Sequence, residues 1–226
     1  MFGGKSMQVV LVNSGTLRAF RGGAGLENAQ LAVFGFEGIK EVSYEKELKG
    51  ESNYFEDVAL LSKQMQNVIV CGCITNTHGH KRKSAVVAEK GRLLGVSDML
   101  NVIDGGVGAG AALRVYDTKI GKMGVVVAED LYFPETVKAL CVCGSDFIVC
   151  PFGDMQDGMQ NVLLRAYAYC YGVPIIFCAQ GYGTVVSANG KMVFSSPLSP
   201  VKYSLDCTKE YHLIETRKRG GFRGEL

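Results

Sequence analysis

The sequence predicts one α/β domain in which helices cover the outer faces of sheets. Three observations carry this. Short apolar runs rich in β-branched residues recur along all 226 residues, and a few stretches between them have helical spacing instead. Turn signals between neighbouring runs make hairpins frequent, which argues against a purely parallel, doubly wound sheet. No repeat and no Pro- or Ser-rich linker divides the chain, so residues 1–226 read as a single domain. Residues 217–226 form a basic, glycine-containing tail, expected to fray or to serve a subunit contact.

The strand-like runs are 8–12, 30–34, 67–74, 84–89, 92–97, 113–116, 123–128, 147–151, 173–179, 184–187 and 191–195. Between 12 and 30 the glycines at 22, 23 and 25 interrupt any long helix. Residues 55–65 place Val58, Leu61 and Met65 on one helical stripe. A second helix, 134–143, opens with Pro134 in the first turn, a favoured position for proline. A third, 157–171, stacks Val162, Ala166, Tyr169 and Cys170, with Asp157 placed to cap it. Turns are expected at Lys90–Gly91, at Ile120–Gly121 and at Asn189–Gly190, the last a strong hairpin signal.

Composition narrows the function classes. With 47% apolar and 20% charged residues the chain is an ordinary globular one. A net charge of +2 offers no field for nucleic acid or an anionic membrane. No apolar run approaches the roughly 20 residues of a membrane span. The first eight residues lack the apolar stretch of an export signal. Seven of the eight cysteines lie inside apolar runs, as in a reducing compartment, so a cytoplasmic location is expected. Cys71–Gly–Cys73 and Cys141–Val–Cys143 are one residue short of a metal-binding pair, and alternate strand residues point to opposite faces, so no metal is expected.

The stretch from Asp117 to Glu135 is the most informative. A turn at Gly121 leads into a buried strand that stops at Ala128, followed by acidic residues and a helix opening with Phe133-Pro134-Glu135. Such a strand-to-loop switch presents one side chain at the carboxyl end of a strand, where nucleophiles commonly sit. The segment resembles the nucleophile motif of the nitrilase superfamily of carbon–nitrogen hydrolases: a glycine and a hydrophobic run, then Cys-Tyr-Asp, one variable residue, and Arg-Phe-Pro-Glu. Gly121, Gly124, Asp130, Phe133, Pro134 and Glu135 match it. Ala128 stands for the cysteine, Glu129 for the aromatic residue and Tyr132 for the arginine.

Further motifs follow in the family's order. Leu31-Ala-Val-Phe-Gly-Phe-Glu37 is similar to the strand ending in the family's Pro-Glu, which puts Glu37 at the general-base position. Residues 84–95 resemble the hairpin that leads to the catalytic lysine, and here Asp98 or Met99 occupies that place. Arg165 to Gln180 resembles the family's Arg-Ala-x-Glu-Asn helix and following strand, with Tyr169 and Cys170 at the Glu and Asn positions. Residues 187–191 resemble the final hairpin. The resemblance implies a four-layer α-β-β-α sandwich that uses no cofactor and self-associates through the helices 134–143 and 157–171, with a homodimer or higher homo-oligomer as the default.

In the family a glutamate takes the thiol proton, the thiolate attacks an amide or nitrile carbon, and a lysine stabilises the developing charge. Glu37 alone survives of the three, with Glu129, Asp130 and Tyr132 expected around the pocket. Loss of one member of such a unit costs most of its rate, and a second loss adds little. The expected function is therefore a degenerate homologue acting by binding or assembly, with a small amide-like ligand as one candidate partner. Two alternatives stay open. One is a hydrolase with a displaced nucleophile, from Cys73, Cys143, Cys178 or Ser97; the other is a structural oligomer subunit with a filled pocket.

Two further features invite a function and have a plainer reading. Gly106, Gly108 and Ala111 fit a dinucleotide-binding spacing, but a strand follows where a helix is needed, so a loop over the old active site is expected. Thr77-His-Gly-His-Lys-Arg-Lys83 combines two histidines with three cations; it could bind a metal or phosphate, but reads as a solvated hairpin tip.

Overall fold

The computed structural model describes residues 6–20, 28–103, 105–155 and 157–207. The interrupting glycines at 22, 23 and 25 and the basic tail lie outside these residues.

The apolar runs assemble into two sheets. In the first, β1 (Ser6–Val12), β2 (Leu31–Phe34) and β4 (Val68–Thr77) run parallel. β13 (Val201–Asp206) adds antiparallel to β1 at one edge, and β5 (His80–Glu89) and β6 (Arg92–Asp98) add antiparallel at the other. A short β3 (Glu41–Ser43) pairs with the far end of β4. The second sheet has the order β12 (Met192–Ser196), β11 (Tyr182–Val186), β10 (Ile175–Ala179), β9 (Phe147–Pro151), β8 (Gly121–Val125), β7 (Val115–Thr118). Its central three strands are parallel and its outer pairs antiparallel.

Strand alternation sends one set of side chains between the sheets and the other outward. The inner set, including Val9, Val33, Val87, Met99, Val125, Ala128 and Ile176, forms one buried core. The outer face of the first sheet is covered by α2 (Tyr54–Met65) through Val58 and Leu61. α3 (Pro134–Val142) and α4 (Met159–Tyr171) cover the second sheet through Val137, Leu140, Leu164 and Ala168. The architecture is the four-layer α-β-β-α sandwich that the sequence predicts.

Some local expectations need correction. The basic segment at 77–83 is not a loop: β4 and β5 continue to a two-residue turn at His78–Gly79, both left-handed, and Lys81 to Lys83 are strand residues. The runs gave no sign of β3, of α1 (Tyr44–Lys49) or of β13. The apolar stripe of α4 is real but faces outward. Met159, Val162 and Tyr169 are 50%, 59% and 56% exposed, while Gln160, Leu164, Tyr167 and Ala168 are buried.

Candidate functional site

β8 delivers its chain to the carboxyl end of the second sheet, where Val126 N–H still bonds Val149 carbonyl. Val127 is extended, and Ala128 then turns into the left-handed region at φ +49°. A single 3₁₀ segment, Ala128–Tyr132, carries the chain to Pro134 at the start of α3. A non-glycine residue at positive φ costs about 1–2 kcal/mol, so the backbone keeps a strained elbow although its side chain is a methyl group. Ala128 is 1% exposed.

Asp130 locks this elbow to the first sheet. Its buried carboxylate accepts from Leu100 N–H at 2.9 Å and from Asn101 N–H and Nδ2 at 2.8 Å each. Asn101 Nδ2 also reaches Thr136 Oγ1 in α3. Burial pushes the Asp130 pKa up, and these donors oppose it.

After β6, Asp98 and Met99 face opposite ways. Asp98 faces the outer layer and accepts from Ser84 Oγ at 2.7 Å. Met99 is 1% exposed and belongs to the same inter-sheet core as Ala128. Its N–H donates to Lys83 carbonyl at 2.8 Å, so the two residues lie side by side on neighbouring strands. Lys83 shares its face with Ala85 and Val87, and its ammonium pairs with Glu129, one residue past the elbow. Glu129 Oε2 is buried with no hydrogen-bond partner. Lys83, Met99, Glu129, Ile103, Gly106 and Val107 line a cavity of about 240 Å³. The glycine-rich loop forms one wall and is tied down by Gly108 N–H to Lys81 carbonyl and Gly110 N–H to Met99 carbonyl, each 2.7 Å.

The remaining expected residues lie apart from this cavity. Glu37 follows β2, and its Oε1 accepts from Gln180 Nε2, beyond β10, at 2.9 Å. That contact bridges the two sheets. Tyr132 sits on the helical side, edge-on to Phe152 and 2.7 Å from the Gln160 amide. Ser97 is committed to the Tyr116 hydroxyl at 2.8 Å. Cys178 donates to Val33 carbonyl, and burial holds its thiol up at about 12. Burial also raises Cys73 far above the ordinary thiol range. Cys143 is exposed at the end of α3. Among the described residues no thiol or hydroxyl donates to Glu37, and no cluster with metal-ligand composition occurs.

Lys83 is the site residue that sequence reasoning missed, because it was grouped with a hairpin tip. Its signal was the alternation Lys83-Ser-Ala85-Val-Val87, which places Lys83 on the inner face.

An α-β-β-α sandwich with a left-handed elbow at the end of β8 and a carboxylate after β2 defines a hydrolase-type scaffold. The chain belongs to the carbon–nitrogen hydrolase family, whose profile matches residues 29–200. Solved structures share the fold. A carbon–nitrogen hydrolase from Helicobacter pylori superposes with a TM-score of 0.72 at 16% identity, covering 90% of each chain. A Saccharomyces cerevisiae member of branch 10 of the nitrilase superfamily gives 0.73 at 17% identity, covering 98% of this chain and 96% of that one. A cysteine-to-alanine mutant of a Nesterenkonia amidase gives 0.73 at 16%, covering 97% and 95%. No curated protein sequence matches this one significantly. No helix among the described residues is long and apolar enough to cross a membrane.

Proposed function

We propose that this chain is a catalytically inert carbon–nitrogen hydrolase homologue that acts by binding or assembly, in the cytoplasm. One observation carries the reading: the elbow residue Ala128 is buried in the same apolar core as Met99. A methyl group stands where attack requires a thiolate, and a thioether stands where an oxyanion requires a cation. Lys83 brings an ammonium near, but its charge is spent on Glu129. Cys71, Cys73, Cys150 and Cys178 are poor nucleophiles, since burial keeps them protonated.

Two features support binding and assembly. The cavity of about 240 Å³, with Lys83 and Glu129 in its wall, offers a place for a small amide-like ligand. The outward stripe of α4 suits a second copy of the chain, giving a homodimer or higher homo-oligomer. None of the eight cysteines is in a disulfide, which fits a reducing compartment.

The test is incubation of the purified protein with a panel of amides, ureides and nitriles beside Glu37→Ala, with ammonia measured. No Glu37-dependent ammonia release is expected. Clear turnover that disappears in Glu37→Ala overturns the proposal.

A further inference from the structure

The hairpin joining β11 to β12 carries the chain's one Asn-Gly pair, Asn189–Gly190. Ser187 N–H donates to Lys191 carbonyl and Gly190 N–H donates to Ser187 carbonyl, each at 2.9 Å. The connection is therefore Ala188, Asn189 and Gly190, with the glycine left-handed at φ +77°. Asn189 is exposed, whereas Gly190 is buried against α4.

The Asn189 side chain is held, although it faces water. Its Oδ1 accepts from Lys191 N–H at 3.1 Å, so the side-chain carbonyl folds back across the intervening Gly190 nitrogen, as in an Asx-turn. The Ser187 hydroxyl lies 2.7 Å from the same oxygen and 3.1 Å from Lys191 carbonyl, so the amide is its nearer acceptor. Donors at 2.7 and 3.1 Å polarise the carbonyl and stand at the distances that hold a developing oxyanion. Gly190 brings no side chain to shield its own nitrogen. Asn189 Nδ2 has no hydrogen-bond partner among the described residues, which leaves water free to protonate it.

We propose that Asn189 is a self-modification site, which converts through a cyclic imide with Gly190 to aspartate and isoaspartate. Hydroxide takes the Gly190 N–H proton, and the nitrogen's electron pair forms a bond to Asn189 Cγ. The negative charge lands on Oδ1, between Ser187 Oγ and Lys191 N–H. The Cγ–Nδ2 bond then breaks, the nitrogen takes a proton from water, and ammonia leaves. Water opens the imide at either carbonyl, so the sum is an amide and water giving a carboxylic acid and ammonia.

The two products differ in what they do to the hairpin. Opening at the Asn189 main-chain carbonyl routes the backbone through Cγ and adds one carbon to it. There is no room for the longer path beside α4. A Cβ on Gly190 would lie 2.8 Å from Arg165 carbonyl oxygen and 2.9 Å from Tyr169 Cβ, and Gly190 carbonyl accepts from Arg165 Nε at 3.1 Å. Isoaspartate therefore loosens the hairpin from α4, whereas aspartate keeps the backbone path.

The test is incubation of the folded full chain in mildly alkaline, ammonia-free buffer, with peptide mapping by mass spectrometry and ammonia measured. Asn189 is expected to convert ahead of the other asparagines, with ammonia matching the fraction of chains converted. This release needs no added amide and persists in Glu37→Ala, which separates it from turnover of a substrate. Asn189→Asp should abolish it. Ser187→Ala, a change at the surface of the hairpin, should slow conversion about tenfold, the loss of one hydrogen bond to a developing charge. Native chain that stays unconverted while urea-unfolded chain converts overturns the proposal, because the fold then shields the site. Equal rates in the parent and Ser187→Ala overturn it as well.

Discussion

Lys83, on β5 of one sheet, is ion-paired to Glu129, the residue after the elbow on the other sheet. The pair crosses the sandwich beside the elbow residue Ala128. Both side chains are partly shielded, at 29% and 23% exposure, so removal of one partner leaves a charge with poor access to water.

Lys83→Ala is expected to destabilise the fold by about 1–2 kcal/mol, and Glu129→Gln by less, because the amide oxygen can still accept from the Lys83 ammonium. The double variant should recover part of the loss. A double-mutant cycle by urea unfolding checks this, with a coupling near zero refuting a paired role.

Ala128 holds the elbow at φ +49°. Ala128→Gly should change stability by less than about 1 kcal/mol, since relief of backbone strain offsets the lost methyl contact. Ala128→Val should cost about 2 kcal/mol or more, because a β-branched residue is a true outlier in that region and the site is closely packed. Denaturant midpoints of the two variants give the comparison.

The parallel strands and three of the four helices were legible because their buried faces follow the periods of 2 and 3.6. β3 was not, since Val42 alone of its three residues is buried. Which of Asp98 and Met99 faces inward could not be read because β6 contains a bulge. Val87 pairs with Gly95 and Ala88 with Leu93, so Leu94 is an extra residue. Leu94 packs on the inter-sheet core, and so does Ser97 through Tyr116. The bulge inverts the alternation, sending Met99 inward and Asp98 out. A one-residue change of register moves every later side chain to the other face. Similarly, α4 shows its apolar stripe plainly in sequence, but spacing alone does not say whether core or solvent receives it.

Stability should fall steeply in alkali. Burial raises the folded pKa of Cys71, Cys73, Cys150 and Cys178, the last to about 12, whereas an unfolded thiol ionises near about 8.5. The unfolded chain therefore loses these protons first. Their contribution is fully present below about pH 8.5 and is lost as pH rises toward the folded values, at about 1.4 kcal/mol per pH unit for each thiol. Urea midpoints in reductant between about pH 8 and 10 should drop accordingly, and Cys178→Ala should make the slope shallower. A flat profile sinks the argument. The exposed Cys143 should alkylate in the native state while these four stay protected.

The outward face of α4 carries Met159, Val162, Ala166 and Tyr169 at spacings of 3, 4 and 3, the pattern by which one helix packs along another. Leu164 and Ala168 seat the helix on its sheet. Val142, at the end of α3, is also 50% exposed. Paired copies would remove these groups from water at about 25 cal/mol for each Å² buried, whereas a monomer leaves them wet. Val162→Glu is therefore expected to abolish the proposed self-association while leaving the circular-dichroism spectrum unchanged, because the substituted side chain is 59% exposed within the chain. Sedimentation equilibrium across a range of protein concentrations reads the outcome. A parent protein that is monomeric throughout, or a variant that associates as strongly as the parent, removes α4 as the assembly surface.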